Sequence, residues 1–244
     1  IIFDKKKGLT LDSIFIGNKK FPICTLKHGE LDLIKHGADF FTGTTIIESA
    51  ETKKISDLIE VEKINFYEID DNNFKIEVSI EMKQGIKELK SWTIDTKKYT
   101  IKFDLFLDCP IFIRGIIRVG VITLDKTFAL KNGIIKVKNG NKYYEKIELK
   151  NSEINQHTSK SLTQSSVSGL GCTNGITKFK NDDFSFKIEL DREKSYPFVM
   201  LQNNKDKFGY LTRLYFSLQE LDDTLKESQK NSKYNLNYVV YLKG

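Results

Sequence analysis

Apolar and polar residues alternate strictly along several stretches of the chain. That period of two marks a half-buried β-strand, because successive side chains on a strand point to opposite faces. Phe74, Ile76, Val78, Ile80 and Met82 interleave with Lys75, Glu77, Ser79, Glu81 and Lys83. The same pattern runs through Tyr99, Ile101, Phe103, Leu105 and Leu107, through Phe184, Phe186, Ile188 and Leu190, and through Tyr234, Leu236, Tyr238, Val240 and Leu242. Each predicts a strand with one core face and one wet face. The segment 111–124 differs: apart from Arg114, Arg118 and its glycines it is apolar at nearly every position, as expected of a central strand covered on both faces. Helical spacing appears in Leu218, Leu221 and Leu225, within 218–230, and allows one or two turns there.

Turn chemistry separates these segments. Asp70-Asp71-Asn72-Asn73 joins two strand patterns, and Asn139-Gly140 tolerates the positive φ angles of a tight hairpin, so neighbouring strands are expected to be antiparallel. No internal repeat and no Pro- or Gly-rich linker divides the chain. Residues 1–244 are therefore expected to form one domain, all-β, a large antiparallel two-sheet supersandwich with at most one or two short helices. The polar, Ser/Thr-rich segment 151–174 is longer than connections usually run and reads as a surface loop, either mobile or functional.

A length of 244 residues suits one β-sandwich, and 39% hydrophobic with 30% charged residues describes a water-soluble globular chain. No apolar run approaches the roughly 18–20 residues of a membrane span, so none is expected. The net charge of +6 raises nucleic acid as a partner, but lysines alternate with acids, as in Lys75-Ile76-Glu77 and Lys187-Ile188-Glu189. Such interleaving describes solvated strand faces, and no nucleic-acid partner is expected. Cys24, Cys109 and Cys172 are odd in number, lack CxxC spacing and slightly favour a reducing, cytoplasmic compartment. The opening Ile1-Ile2-Phe3-Asp4, without an initiator methionine, reads as a domain excised from a longer protein, whose adjacent domains would be its partners.

The run Ile2-Phe3-Asp4-Lys5-Lys6-Lys7-Gly8-Leu9-Thr10-Leu11-Asp12-Ser13-Ile14 resembles the opening hairpin of the large galactose-mutarotase-like β-sandwiches, which accompany catalytic domains of several glycoside hydrolase families. His28-Gly29-Glu30-Leu31-Asp32 and His36-Gly37-Ala38-Asp39-Phe40-Phe41-Thr42-Gly43 resemble a stretch in accessory domains of hydrolases related to the family-57 amylases, and Tyr215-Phe216-Ser217-Leu218 is similar to one of their closing strands. The resemblance implies a carbohydrate-associated accessory domain. Free-standing mutarotases use a histidine acid and a glutamate base, but Asn155-Gln156-His157-Thr158 does not match their histidine motif, so no catalytic residue carries over.

The candidate ligand contacts are His28, Glu30, Asp32, His36, Asp39, Trp92 and Arg114. His28 and His36 are eight apart with acids between and beside them, wider than usual zinc spacing, so no metal is expected; glycines 29, 37 and 43 would shape a loop at a sheet rim. Trp92, the sole tryptophan, reads either as a core residue or as an exposed platform for a sugar ring. Arg114 and Arg118, within an apolar strand, need internal ion-pair partners or face a ligand. Gly169-Leu170-Gly171-Cys172-Thr173-Asn174-Gly175 lacks a P-loop lysine, and no motif indicates a cofactor.

Three readings stay open. The chain is an accessory domain contacting carbohydrate on a concave sheet face rimmed by 28–42, with Trp92 and 151–174 as walls. Alternatively it is a sugar epimerase or lyase with His28, His36 or His157 beside an acid in a pocket. In the third reading it is a structural interaction module with an exposed apolar patch.

Overall fold

The computed structural model describes residues 1–32, 40–49, 54–140, 142–154, 170, 172–220 and 232–242. Strands dominate them. In chain order these are β1 (Ile2–Asp4), β2 (Thr10–Ile16), β3 (Lys19–Cys24), β4 (Ile46–Ser49), β5 (Ile55–Ser56), β6 (Asn65–Asp70), β7 (Asn73–Glu81), β8 (Lys87–Asp95) and β9 (Thr100–Cys109). They continue as β10 (Gly115–Leu124), β11 (Ile134–Val137), β12 (Glu145–Glu148), β13 (Ile176–Lys180), β14 (Ser185–Leu190), β15 (Phe198–Asp206), β16 (Gly209–Gln219) and β17 (Ser232–Tyr241). The helical content among the described residues is two short 3-10 turns, Lys5–Lys7 and Lys83–Gly85. Leu218, offered above to a helix, belongs to β16, and 221–230 lies outside the described residues.

Two antiparallel sheets result, as the alternation predicts. One is eight-stranded, with the path β1-β2-β3-β10-β16-β15 and the short β4 and β5 joined to β10; the other is nine-stranded, in the order β12-β11-β13-β14-β17-β9-β8-β7-β6. Asp70 pairs with Asn73 across the predicted hairpin, whose turn is tied by the Asp70 side chain accepting from Asn72 N at 2.9 Å. Along β9, Ile101, Phe103, Leu105, Leu107 and Cys109 are buried while the residues between them are half-exposed. Facing side chains from the two sheets meet in one contiguous cluster, in which Phe103 stacks on Tyr238 at 4.9 Å and Tyr238 on Phe216 at 5.0 Å. The interleaved charges behave as wet-face pairs: Lys75 meets Glu77 at 2.6 Å and Lys187 meets Glu189 at 2.7 Å, all partly exposed.

The central strand proposed over 111–124 is β10, which starts at Gly115 and lies between β16 on one side and β3 and β4 on the other. Its register slips between Val119 and Ile122 around Gly120, whose φ of 57° is costly for a side-chain-bearing residue. A Cβ at 120 would lie 2.5 Å from Leu236 Cδ2 and 2.9 Å from Phe103 Cε1. The bulge sends Val121 to the opposite face, where it packs with Met200 and Tyr215. The smaller sheet is thus apolar on both sides: its inner face joins the main core, and its outer face carries Cys24, Leu26, Leu211, Val121, Met200 and Tyr215. That second covered face positions the site described next.

Candidate functional site

The predicted contacts are scattered. His28 is exposed in a turn closed by Glu30 N donating to Lys27 O at 3.1 Å. The Glu30 carboxylate accepts from Lys27 N at 3.2 Å, and Asp32 N donates to Asp206 Oδ2 at 3.1 Å. The Glu30 carboxylate and the Asp32 backbone amide therefore tie this turn down. His36 and Asp39 lie outside the described residues, as do His157 and most of 151–174. Arg114 is exposed, just ahead of β10. Arg118 has the internal partner sought for it: its Nε and Nη2 donate to the two Glu220 carboxylate oxygens at 3.0 and 2.9 Å.

Trp92 is corrected. It is 1% exposed, its Nε1 donates to Leu9 O at 3.1 Å, and its ring packs on Phe103 at 4.5 Å and Phe3 at 5.6 Å. A side chain enclosed between two sheets offers no face to a sugar ring, so Trp92 is a core residue rather than a wall of a binding site.

The outer face of the eight-stranded sheet gathers the polar groups that sequence reasoning missed. Strand alternation puts Arg213, Tyr215 and Ser217 of β16 on this face, beside Gln202 of β15 and Arg118 of β10. Gln202 Oε1 accepts from Arg213 Nε at 3.1 Å, from Arg213 Nη2 at 2.8 Å, and from the Tyr215 hydroxyl. The Arg213 guanidinium lies 4.5 Å from the Phe40 ring centroid and 4.8 Å from that of Tyr215, and Arg118 lies 5.4 Å from Tyr215 on the same ring system. Ser217 Oγ donates to Glu220 Oε1 at 2.6 Å. Among the described residues no carboxylate pairs with Arg213. Burial, with a smaller push from Arg118, holds its pKa below the ordinary guanidinium value, although Tyr215 opposes the fall. The Tyr215 phenol is raised by burial, opposed by the two arginines. Phe40 reaches Arg213 because Leu26 and Phe40 form an antiparallel bridge that lays 40–42 against the sheet. Of the segment 28–42, residues 40–42 lie against this sheet, and 33–39 lie outside the described residues.

A second polar group lies inside the main core. Lys90, Glu88 and Asp57 have fully buried side chains between the sheets. Lys90 Nζ contacts Asp57 Oδ2 directly, donates to Gly8 O at 2.9 Å, and lies 3.2 Å from Glu88 Oε1. Asp57 Oδ1 accepts from Thr44 Oγ1 at 2.7 Å and from Thr45 N at 2.9 Å. Neither Glu88 carboxylate oxygen makes a hydrogen bond of good geometry among the described residues; its polar neighbours are Lys90 Nζ at 3.2 Å and the Thr45 side chain. Burial, opposed by Lys90 and reinforced by Asp57, pushes Glu88 up to about 7. Burial alone would depress Lys90, but Asp57 and Glu88 together outweigh it and leave the ammonium above its ordinary value.

The Glu88 shift predicts a pH dependence. The folded carboxyl keeps its proton up to about pH 7, whereas the unfolded one releases it near its ordinary value of 4.5. The native state then binds more protons across that window, so stability falls as pH rises through it, by up to about 1.4 kcal/mol per pH unit from this group. Thermal unfolding between pH 4.5 and 8 checks the sign, with Glu88→Gln expected to flatten the slope. A wild-type midpoint that climbs across the window and is unchanged in slope by Glu88→Gln would refute the assignment.

Among the described residues no three His, Cys, Asp or Glu side chains gather to hold a metal ion, and no helix is long and apolar enough to cross a membrane. The three cysteines are buried and free.

No protein-family model matches the sequence, and no curated protein does. Among solved structures the chain is similar to a TPR-domain containing protein from Parabacteroides distasonis, at 9% identity over 99% of this chain and 45% of that one, with a TM-score of 0.51. It is also similar to the α-galactosidase from Lactobacillus brevis, at 9% identity over 80% and 28% of the two chains, TM-score 0.49. A GH36 α-galactosidase from Geobacillus stearothermophilus gives 11% identity over 89% and 31%, TM-score 0.48. The chain spans less than half the length of each. At these identities the likeness is one of fold.

Proposed function

We propose that the chain is a carbohydrate-associated accessory module that binds a saccharide bearing an acidic group on the outer face of its eight-stranded sheet. The observation that carries this reading is Arg213, a half-buried guanidinium held between the Phe40 and Tyr215 rings and not paired with a carboxylate among the described residues. A desolvated cation fixed in place between two aromatic rings matches a carboxylate or sulfate on a sugar. The opening hairpin and the His28–Asp32 segment, which resemble accessory domains of glycoside hydrolases, favour the same ligand class. Catalysis by this chain lacks support. Of the three histidines an epimerase or lyase would draw on, His28 is exposed on a turn, and the other two lie outside the described residues.

Binding to an array of neutral, uronate-bearing and sulfated glycans tests the proposal. Arg213→Met keeps the apolar stem over Phe40 and is expected to lose at least about ten-fold in affinity for the acidic glycan, since a charge-assisted hydrogen bond contributes about 1.5–3 kcal/mol. Absence of binding to every acidic glycan, or an unaffected Arg213→Met variant, overturns it.

One observation bears on adjacent domains as partners. At the β6 end of the nine-stranded sheet Phe66 is 62% exposed and stacks on Phe74, with Tyr67 and Ile69 exposed along the same edge strand. An uncovered aromatic edge of this kind suits docking of a neighbouring domain.

A further inference from the structure

The Lys90–Asp57–Glu88 group is the least ordinary chemistry in the molecule, and nothing in the carbohydrate reading uses it. Three ionisable side chains with no exposed surface stand between two sheets, Lys90 in contact with both Asp57 and Glu88. The arrangement around Asp57 is asymmetric. Its Oδ1 takes two donors, the Thr44 hydroxyl and the Thr45 amide, while Oδ2 takes only the Lys90 amine. Two donors on one carboxyl oxygen are what a tetrahedral adduct at Cγ needs to hold its negative charge. The Lys90 nitrogen is aimed by the Gly8 carbonyl behind it. Glu88, two residues along the same strand and therefore on the same face, has carboxyl oxygens that make no well-formed hydrogen bond and face Lys90 and Thr45.

From this geometry we infer that the chain cross-links itself, forming an amide between Lys90 Nζ and Asp57 Cγ with Glu88 as the proton shuttle. The charged pair is the resting state, since Asp57 and Glu88 hold the Lys90 pKa up; the reactive species is the minor neutral pair, reached when the ammonium passes one proton to Asp57 Oδ2. The amine lone pair attacks Cγ, the C–N bond forms, and Oδ1 carries the negative charge under its two donors. Glu88, which burial keeps protonated to about pH 7, hands its proton to Oδ2 and takes one from the nitrogen. The Cγ–Oδ2 bond breaks, Oδ1 returns to a carbonyl, and one water leaves. An ammonium and a carboxylate thus become an amide and water, without oxidant, metal or cofactor. Proximity supplies the rate, because folding fixes two reactants that would otherwise meet only by diffusion.

The consequence is mechanical. Asp57 follows β5 of the eight-stranded sheet and Lys90 lies in β8 of the nine-stranded one, so the bond would join the two layers covalently and close a loop of 33 residues. The three side chains have no solvent-exposed surface, which limits the access of water to the bond, and the Gly8 backbone packs directly on the Asp57 carbonyl, where a Cβ would lie 2.1 Å from it.

Mass spectrometry of the folded, intact chain is the test. The expected mass is one water below that of the sequence. Trypsin should yield a branched species joining residues 55–63 to residues 88–97, uncut after Lys90. Glu88→Gln, an amide of the same shape that cannot shuttle the proton, is expected to fold, as judged by circular dichroism, and to keep the full sequence mass. A folded wild-type chain that keeps the full mass after prolonged incubation at neutral pH overturns the cross-link. Glu88→Gln losing water as fast as wild type overturns the role given to Glu88.

Discussion

Replacing Lys90 by methionine is expected to lower the stability of the fold by about 3–5 kcal/mol, the cost of leaving a buried carboxylate without its cation. The direction follows from the contacts. Lys90 Nζ is shared by Asp57, Glu88 and Gly8 O, and the side chain is wholly enclosed, so water cannot take its place. Methionine fills much the same volume, which separates the electrostatic loss from a cavity. Removing the opposing charge as well, in Lys90→Met with Asp57→Asn, should recover part of the loss, since an uncharged group costs less to bury than an unpaired ion. Guanidinium unfolding at constant m measures both. If the amide forms, the single variant also forgoes a cross-link and the loss grows. A cost below about 1 kcal/mol for Lys90→Met would mean that water or another cation reaches Asp57, and the account of a sealed group would fail.

This group also shows where the sequence stops being legible. Alternation in β9 and β17 predicted strands, their faces and their antiparallel neighbours, because the apolar set there falls on one parity. In β8 the parity is reversed: Glu88, Lys90 and Trp92 face inward while Leu89 is 42% exposed. A period of two reveals that a strand has two faces, and hydrophobicity chooses the inner one only when polar residues have no partners inside. The partner here, Asp57, is distant in sequence and sits among Ile55, Leu58, Ile59 and Val61, whose spacing does not mark an inward-facing acid. The outer-face site was hidden for a related reason. Arg213 and Tyr215 lie in a strand that is apolar on both parities, and only the register against Gln202, with Phe40 folded back through the Leu26 bridge, gives them common neighbours. Arg118 could be read as needing a partner from its place in an apolar strand, but Glu220, 102 residues away, could not be named.

Trp92→Ala is expected to cost about 3–5 kcal/mol and to leave glycan binding per folded molecule unchanged, the reverse of what an exposed sugar platform would show. The indole fills the space between Phe103 and Phe3, and Gly43 is packed against it so closely that a Cβ there would lie 2.4 Å from Trp92 Cζ2. A backbone built to that clearance, with a φ of 88° at Gly43, has little freedom to collapse into the vacated volume. The cavity therefore persists and most of the lost packing is felt. Leu9 O also loses its donor, a group too buried to find water. Chemical unfolding reads the stability, and titration with the acidic glycan, corrected for the folded fraction, reads binding. A Trp92→Ala variant with wild-type stability and abolished binding would move the ligand from the Arg213 face to the indole, against the enclosure of that ring between the sheets. Retained affinity with reduced stability ties Trp92 to the layer that holds β8 against the opening hairpin, and leaves recognition to the opposite side of the smaller sheet.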